Sequence, residues 1–534
     1  MSDSTDDTQA AMPHVESHGP GAKGADSMSA SPDERMSALR STSIIGGASG
    51  AVLLVRIVRT KVLAHLLGPA GIGLEAIFDS IISITRTLFS CGINSSGVRQ
   101  IATAVQSGDM ARVALTVLTL RRVSLVIALA SAAALILARD PISRLAFGNS
   151  EHSTAIGALS IVLLCGAITG GQGALLQGMR RLGDIARLNV YGAVIGAVVS
   201  IPIVYVWGQN GIAGYMIVGA VISAVVSWHF ARRIQPAATN PPLRTITHEA
   251  SQMIKLGMAF VASALLSTGV IFALRAFVVR ELGMVAAGQL QAATALSMVY
   301  VGFILQAMGT DFYPRLTAAS EDHTRANRLV NEQTEISLIL AVPGILATIT
   351  LAPWIIRAFY SAEFAPASTI LVWQAAGMML RVITWPMGYI IIAQGRGALF
   401  VATEVAAAVI YLVLAWLGLR YFHLPGIGLA FTGLYIIYGL MVAGIVRRIS
   451  GFRWSGDNTR TILATVIVAA LGIATRLTLP EPFATVVGCV LTGLAALVCL
   501  RRLGGIFGFE RLQRLAQRTR LPFAPEFARW ICAR

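Results

Sequence analysis

Charge is scarce in this 534-residue chain: Asp, Glu, Lys and Arg together make up 13% of it. Soluble proteins carry about 25%, so a soluble globular enzyme, a disordered protein and a disulfide-rich secreted domain are excluded. Cysteine is scarce too. Cys91, Cys165, Cys489 and Cys499 sit in apolar runs and Cys532 lies in the last stretch, with neither a disulfide framework nor metal spacing. Walker, HExxH and CxxC motifs are missing, which leaves direct ATP drive and metal catalysis without support. No apolar run follows a basic region near the start, so no signal peptide is expected. Acids are the rarer sign, 26 against 42 Lys and Arg, for a net charge of +16. The basic surplus is spread between hydrophobic runs. That distribution reports membrane topology rather than nucleic-acid binding.

What is abundant is apolar surface: 55% of residues are hydrophobic and 51 are glycine, a pattern of packed membrane helices. A bilayer core needs about 20 apolar residues of helix. Fourteen runs qualify: 41–67, 72–96, 113–138, 154–178, 188–207, 211–231, 253–278, 285–310, 331–356, 368–393, 398–419, 427–446, 461–479 and 484–502. The second, eighth and ninth are the least apolar. The expected fold is therefore an all-α polytopic membrane protein of about fourteen transmembrane helices. With the N-terminus placed in the cytoplasm, seventeen Lys and Arg stand at or beside the inner connections, and six at the outer ones: Arg139, Arg144, Arg280, Arg357, Arg420 and Arg476. This asymmetry puts both termini in the cytoplasm.

Residues 1–38 hold seven acids and two basic residues among Ser, Gly and Pro, which reads as a disordered tail. At the other end, Phe509, Leu512, Leu515 and Ala516 alternate with Arg511, Arg514, Arg518 and Arg520. That spacing suggests a basic amphipathic helix on the inner leaflet within 504–534, set against a solvated tail.

The chain also repeats. Leu67-Gly68 and Gly73 align with Leu282-Gly283 and Gly288 at one offset of 215 residues, each ahead of a polar-spotted span. Two parallel six-helix lobes follow, 39–231 and 253–447, joined by a cytoplasmic linker at 232–252. An extra helix pair at 448–503 has no counterpart. In transporters built this way the substrate path runs at the repeat interface.

The first hairpin, Lys61-Val62-Leu63-Ala64-His65-Leu66-Leu67-Gly68-Pro69-Ala70-Gly71-Ile72-Gly73, and the later Ser95-Ser96-Gly97-Val98-Arg99-Gln100 resemble the polysaccharide-transporter family of the multidrug/oligosaccharidyl-lipid/polysaccharide exporter superfamily. The likeness is to the Wzx-type O-antigen and enterobacterial-common-antigen translocases, and covers about residues 40–450. The extra helix pair departs from the usual twelve spans; peptidoglycan lipid flippases of the superfamily also carry fourteen. The resemblance implies a transporter in the bacterial inner membrane, not an enzyme. It would move an undecaprenyl-pyrophosphate-linked oligosaccharide between leaflets by rocking two lobes around a central cavity. It implies no cofactor and allows coupling to a proton or sodium gradient. Expected partners are the lipid-linked glycan and membrane lipids, with polysaccharide polymerase and chain-length proteins as candidates.

Ionisable residues at membrane depth cost several kcal/mol and normally face a cavity or one another. Arg56 sits near the middle of the first span with Arg59 one turn on. Arg86 sits near the middle of the second, with Asp79 and Glu75 on the same face. Arg381 is central in the tenth span, Glu404 lies in the eleventh, and Arg275 is towards the outer end of the seventh. Arg56, Arg59, Arg86, Arg275 and Arg381 are the candidate substrate contacts; Glu75, Asp79 and Glu404 are cavity acids or ion-pair partners. Arg275 is balanced between cavity and snorkelling. Asp79 with Arg86 or Arg59 is the main structural-pair alternative. Arg121 and Arg122 read as snorkelling, Glu332 and Glu335 as solvated or capping, Lys61 and His65 as headgroup contacts. Guanidinium binds pyrophosphate bidentately and stays charged, so an arginine-rich interior favours an anionic lipid-linked substrate. A drug antiporter would favour an acidic or aromatic cavity. A polymerase or ligase would need a larger outer loop than Arg139 to Ser153.

Gly46–Gly50, Gly166–Gly170 and Gly192–Gly196 are GxxxG pairs that allow close helix packing. Pro202, Pro343 and Pro386 fall inside spans as candidate kinks.

Overall fold

The computed structural model describes residues 32–90, 92–234 and 242–507. Among these residues seventeen α-helices follow one another: α1 (Pro32–Ser90), α2 (Ile93–Gln106), α3 (Met110–Leu137), α4 (Arg139–Phe147), α5 (Ser153–Ala158), α6 (Ser160–Gly178), α7 (Leu182–Trp207), α8 (Ile212–Ala231), α9 (Leu243–Ala307), α10 (Tyr313–Ala318), α11 (His323–Thr350), α12 (Ala352–Phe359), α13 (Ala367–Ala393), α14 (Gly397–Phe422), α15 (Pro425–Ser450), α16 (Gly456–Thr478) and α17 (Glu481–Phe507). No strand occurs among the described residues. The protein is an all-α, multi-pass membrane protein.

Among the described residues, ten helical stretches are long and apolar enough to cross a membrane. Two of them, Leu182–Ala231 and Val261–Gln306, run 50 and 46 residues, enough for two crossings each. Helix α1 is not among the ten: its first half carries Arg56, Arg59 and Lys61 and its second half Glu75, Asp79 and Arg86. Helical segments nevertheless occupy all fourteen expected positions. The second expected span, 72–96, stops at Ser90; Gly92 takes a left-handed conformation (φ 64°) and a separate helix, α2, begins. The eighth, 285–310, passes at Met308 into a π-helical turn, Met308–Phe312. Residues 32–38, expected to belong to the tail, open α1. The rest of the acidic tail and the amphipathic pattern at 509–520 lie outside the described residues.

Long helices α1 and α9 each hold one non-helical residue. It is Gly68 in α1 (φ 61°, ψ −172°) and Gly283 in α9 (φ 82°, ψ 179°). This region of backbone space is essentially reserved for glycine, so the two Leu-Gly pairs aligned by the repeat make the same bend. The two bends also meet. A Cβ on Gly73 would fall on the Met284 carbonyl, and one on Gly288 on the Pro69 carbonyl. Each hairpin therefore seats the other's backbone where only hydrogen fits. The same 215-residue offset relates Ile101 on α2 to Leu316 on α10, both fully buried. Each anchors a satellite core, the first with Val117 and Leu175, the second with Val330, Ile390 and Val446. The main core joins the two bends through Leu63, Ile77, Phe78, Ala287 and Ala292 and continues to Ile370 and Leu371 on α13.

Of the glycines in the GxxxG pairs only Gly170 is a close packing point, where an added methyl would lie 2.7 Å from Asn94 Nδ2. Added methyl groups at Gly46, Gly50, Gly166 and Gly196 would meet nothing, and one at Gly192 only the Ser223 hydroxyl at 3.9 Å. Helices α16 and α17 dock instead on α11 and α12. The Thr350 and Thr492 hydroxyls are 3.2 Å apart, Trp354 Nε1 donates to Thr485 Oγ1, and Glu481 bridges Arg357 (3.2 Å) and Arg476 (3.1 Å). At the other end, Asn458 Nδ2 donates to the Asn331 carbonyl at 2.8 Å. Val409, Trp416, Leu463, Ile467, Val490 and Leu494 stay exposed, forming the apolar outer belt that faces lipid.

Candidate functional site

Both halves of α1 turn their charged faces into one cavity of about 1030 Å³. The first half supplies Arg56, Arg59 and Thr60, spaced so that one helical face presents them together. The second half supplies Glu75, Asp79 and Arg86 from the far side of the Gly68 bend. Small residues of α7 and α8, among them Gly192, Gly196 and Gly219, widen the space, with Asn189 and Tyr215 as polar members. Gln291, Ala295 and Phe303 on α9 close it opposite, and Tyr360 sits beyond α12.

Three guanidiniums and two carboxylates thus share one chamber within membrane-spanning helices. Among the described residues, none of Arg56, Arg59 and Arg86 comes within 4.0 Å of Glu75 or Asp79 as an ion pair. Arg56, Arg86 and Asp79 are exposed to the chamber, while Arg59 and Glu75 are half-buried. The Arg59 guanidinium lies 5.8 Å from the centre of the Tyr215 ring, within reach of a cation–π attraction. Its Nε and the Tyr215 hydroxyl are buried without a hydrogen-bond partner in the protein. Buried donors of this kind are normally satisfied, so the chamber has unspent hydrogen-bonding capacity beside its cations.

The chamber is closed at one end. Leu63, Ile72, Tyr360 and Phe364 are buried around the two hairpin bends. Towards the start of α1, Gly46, Gly47, Ser49 and Gly50 are exposed.

The remaining candidates lie outside this lining. Arg275 neither snorkels nor faces the chamber. Its guanidinium donates to the Ala76 carbonyl at 2.7 Å, to the Ser80 hydroxyl and to the Gln291 carboxamide oxygen, riveting the second half of α1 to both halves of α9. Arg381 sits in an aromatic nest, 4.7 Å from the Trp385 ring centre and 5.8 Å from that of Tyr435, with Nη1 3.7 Å from Met298 Sδ. Glu404 accepts from the Tyr438 hydroxyl at 3.2 Å and forms no ion pair with Arg381. Tyr215, Tyr360 and Asn189 carry no signal as cavity residues in the sequence. The first lies inside an uninterrupted apolar run, the second in a short connection, and a single Asn has no periodicity.

Three comparisons bear on this arrangement. Residues 62–369 match the profile of the family described as Polysaccharide biosynthesis protein. The chain is 26% identical over 409 residues to the lipid III flippase of Escherichia coli (strain K12), covering 74% of this chain and 94% of that protein. Among solved structures it resembles the lipid II flippase MurJ in an inward closed conformation (TM-score 0.64, 15% identity, 85% of this chain and 97% of that one). It also resembles an inward-facing multidrug resistance MATE family transporter of the MOP superfamily (TM-score 0.61, 14% identity, 74% and 95%). At these identities the two structures show the fold alone. The family match spans more than half of the sequence and includes the second half of α1, both bends and helices α7, α8 and α9: the chain belongs to the polysaccharide biosynthesis protein family.

Proposed function

We propose that this protein is a flippase for a lipid-linked oligosaccharide, a polyprenyl-pyrophosphate-borne repeat unit of a surface polysaccharide, in the bacterial inner membrane. The observation that carries the proposal is the trio Arg56, Arg59 and Arg86, which face one intramembrane chamber and form no ion pair within 4.0 Å among the described residues. A cation at that depth needs a counter-charge, and a pyrophosphate supplies one with geometry suited to bidentate guanidinium contact. The chamber volume of about 1030 Å³ lies at the upper end of the ~300–1,000 Å³ of ligand clefts. It suits a charged head with sugar rings, while the prenyl chain stays in lipid. The lipid III flippase similarity points to the same substrate class. The arginine asymmetry between connections supports an orientation with both chain ends in the cytoplasm. In that orientation the chamber faces inward, ready to load. Uptake from one side and release on the other require the two lobes to rock around the bends at Gly68 and Gly283, driven by a proton or sodium gradient.

The test is surface glycan in a strain lacking the protein, normalised to its membrane abundance. Replacing Arg56, Arg59 or Arg86 by Ala is expected to cut export at least tenfold. Lys restores part of it by keeping the charge without the fork, and Gln restores none. Export at the parental rate by all three Ala variants would overturn the reading.

A further inference from the structure

A second concave site lies on the outer flank of α7 and α8, away from the chamber. It is a groove of about 630 Å³ between Arg187, Tyr191 and Ile195 on α7 and Val225, Val226, His229, Phe230 and Arg233 along and just past α8. Its residues are ordered along the helix axes. The cations Arg187 and Arg233 stand at one end, the aromatic pair Tyr191 and Phe230 next (ring centres 6.2 Å apart, nearly parallel). Ile195 and Val225, both exposed, form the far end. From Arg187 to Ile195 the helix rises about 12 Å, so the groove passes from charge to hydrocarbon over the depth of a lipid's headgroup region and first methylenes.

The charged end is under-compensated. Asp184 is shared by Arg181 (3.6 Å) and Arg187 (3.4 Å). Arg232 and Arg233 form no ion pair among the described residues. Arg232 packs over Trp228 at 5.0 Å and Arg233 over Phe230 at 5.3 Å, and each aims a nitrogen at His229, 3.2 Å from Nδ1 and 3.3 Å from Nε2. A neutral imidazole accepts on one nitrogen only, so one guanidinium must find its acceptor elsewhere. Between Arg233 and Glu249 the sequence offers no acid.

We propose that this groove binds an anionic phospholipid of the leaflet at the Arg-rich end, its phosphate held by Arg187 and Arg233 and its acyl chain laid along Ile195 and Val225. Charge complementarity selects the headgroup, since basic pockets between membrane helices favour anionic lipid heads. The exposed apolar floor on spanning helices selects a lipid over a soluble anion.

The experiment is native mass spectrometry of the full chain with added phosphatidylglycerol or phosphatidylcholine. Phosphatidylglycerol should be retained preferentially. At about 1 kcal/mol per surface cation, R187Q/R233Q is expected to weaken its retention about thirty-fold, with a control pair, R447Q/R448Q at the end of α15, unchanged. V225W fills the apolar half while leaving every charge in place, and should also abolish the preference. Equal retention of both lipids by the parent, or equal loss in the control pair, would overturn the proposal. So would a preference that emerges only after residues 1–31 are removed, which would assign the groove to the acidic N-terminal segment.

Discussion

Arg59 and Arg275 carry the same charge within membrane-spanning helices, and their neighbours give them different work. Arg59 keeps an unpartnered Nε beside a ring face, whereas Arg275 spends its donors on Ala76, Ser80 and Gln291. Removing Arg275 strands the Gln291 carboxamide and unties three helical segments. Arg275→Ala is therefore expected to lower stability by roughly 2 kcal/mol and to reduce membrane abundance, with export per molecule changed less than for Arg59→Ala. Quantifying both on the same blots separates the two roles; an Arg275→Ala protein of normal abundance and heat stability that fails to export would make Arg275 a substrate contact instead. The sequence marks both residues as candidate substrate contacts at membrane depth and does not tell them apart by partner. Depth follows from hydropathy, but whether a partner waits on a helix 195 or more residues away leaves no local trace. The same holds for Arg381, whose nest draws Met298 and Tyr435 from separate helices.

Helices α1 and α9 show what a repeat reveals and what it hides. The Leu-Gly register and the downstream glycine were visible as a 215-residue echo, because a bend of this φ and ψ admits only glycine and so fixes the residue. That the two bends lock into each other was not visible, since packing between copies imposes no spacing within either. The short helices α2 and α10 escaped the apolar-run reading for a different reason: 14 and 6 residues fall short of the apolar run of about 20 that a span needs. The two glycine roles predict distinct penalties. At Gly283 an added methyl meets no atom, so Gly283→Ala carries backbone strain alone, of order 1–3 kcal/mol. At Gly288 the methyl strikes the Pro69 carbonyl, so Gly288→Ala must part the hairpins. Thermal unfolding in detergent is expected to show a lower midpoint for both. Only Gly288→Ala should also raise protease or thiol-reagent access at the hairpin end. Equal access in the two variants would refute the distinction.

At the scale of the whole molecule, the chamber is a one-ended space. Its charged walls come almost entirely from the first half of the chain, yet its lid is shared: Leu63 and Ile72 from one hairpin, Tyr360 and Phe364 from the connection after α12. A transporter must also visit a state in which this lid parts and the end near Ser49 closes, and a ligand shifts that balance only by binding one state better. Reactivity of single cysteines in an otherwise cysteine-free chain reads the balance directly. Ser49→Cys lies at the open end and Asp79→Cys lines the interior. In the resting protein both should react with a membrane-impermeant thiol reagent from the side of the α1 N-terminus, with little reaction at position 79 from the other side. Adding Gly288→Leu wedges the hairpins apart, because its side chain must displace the Pro69 backbone. Position 79 should then become reactive from the opposite face, while position 49 is progressively protected. Reaction of Asp79→Cys from the hairpin side in the resting protein, or an unchanged pattern in a folded Gly288→Leu variant, would show that the bends at Gly68 and Gly283 do not gate the chamber.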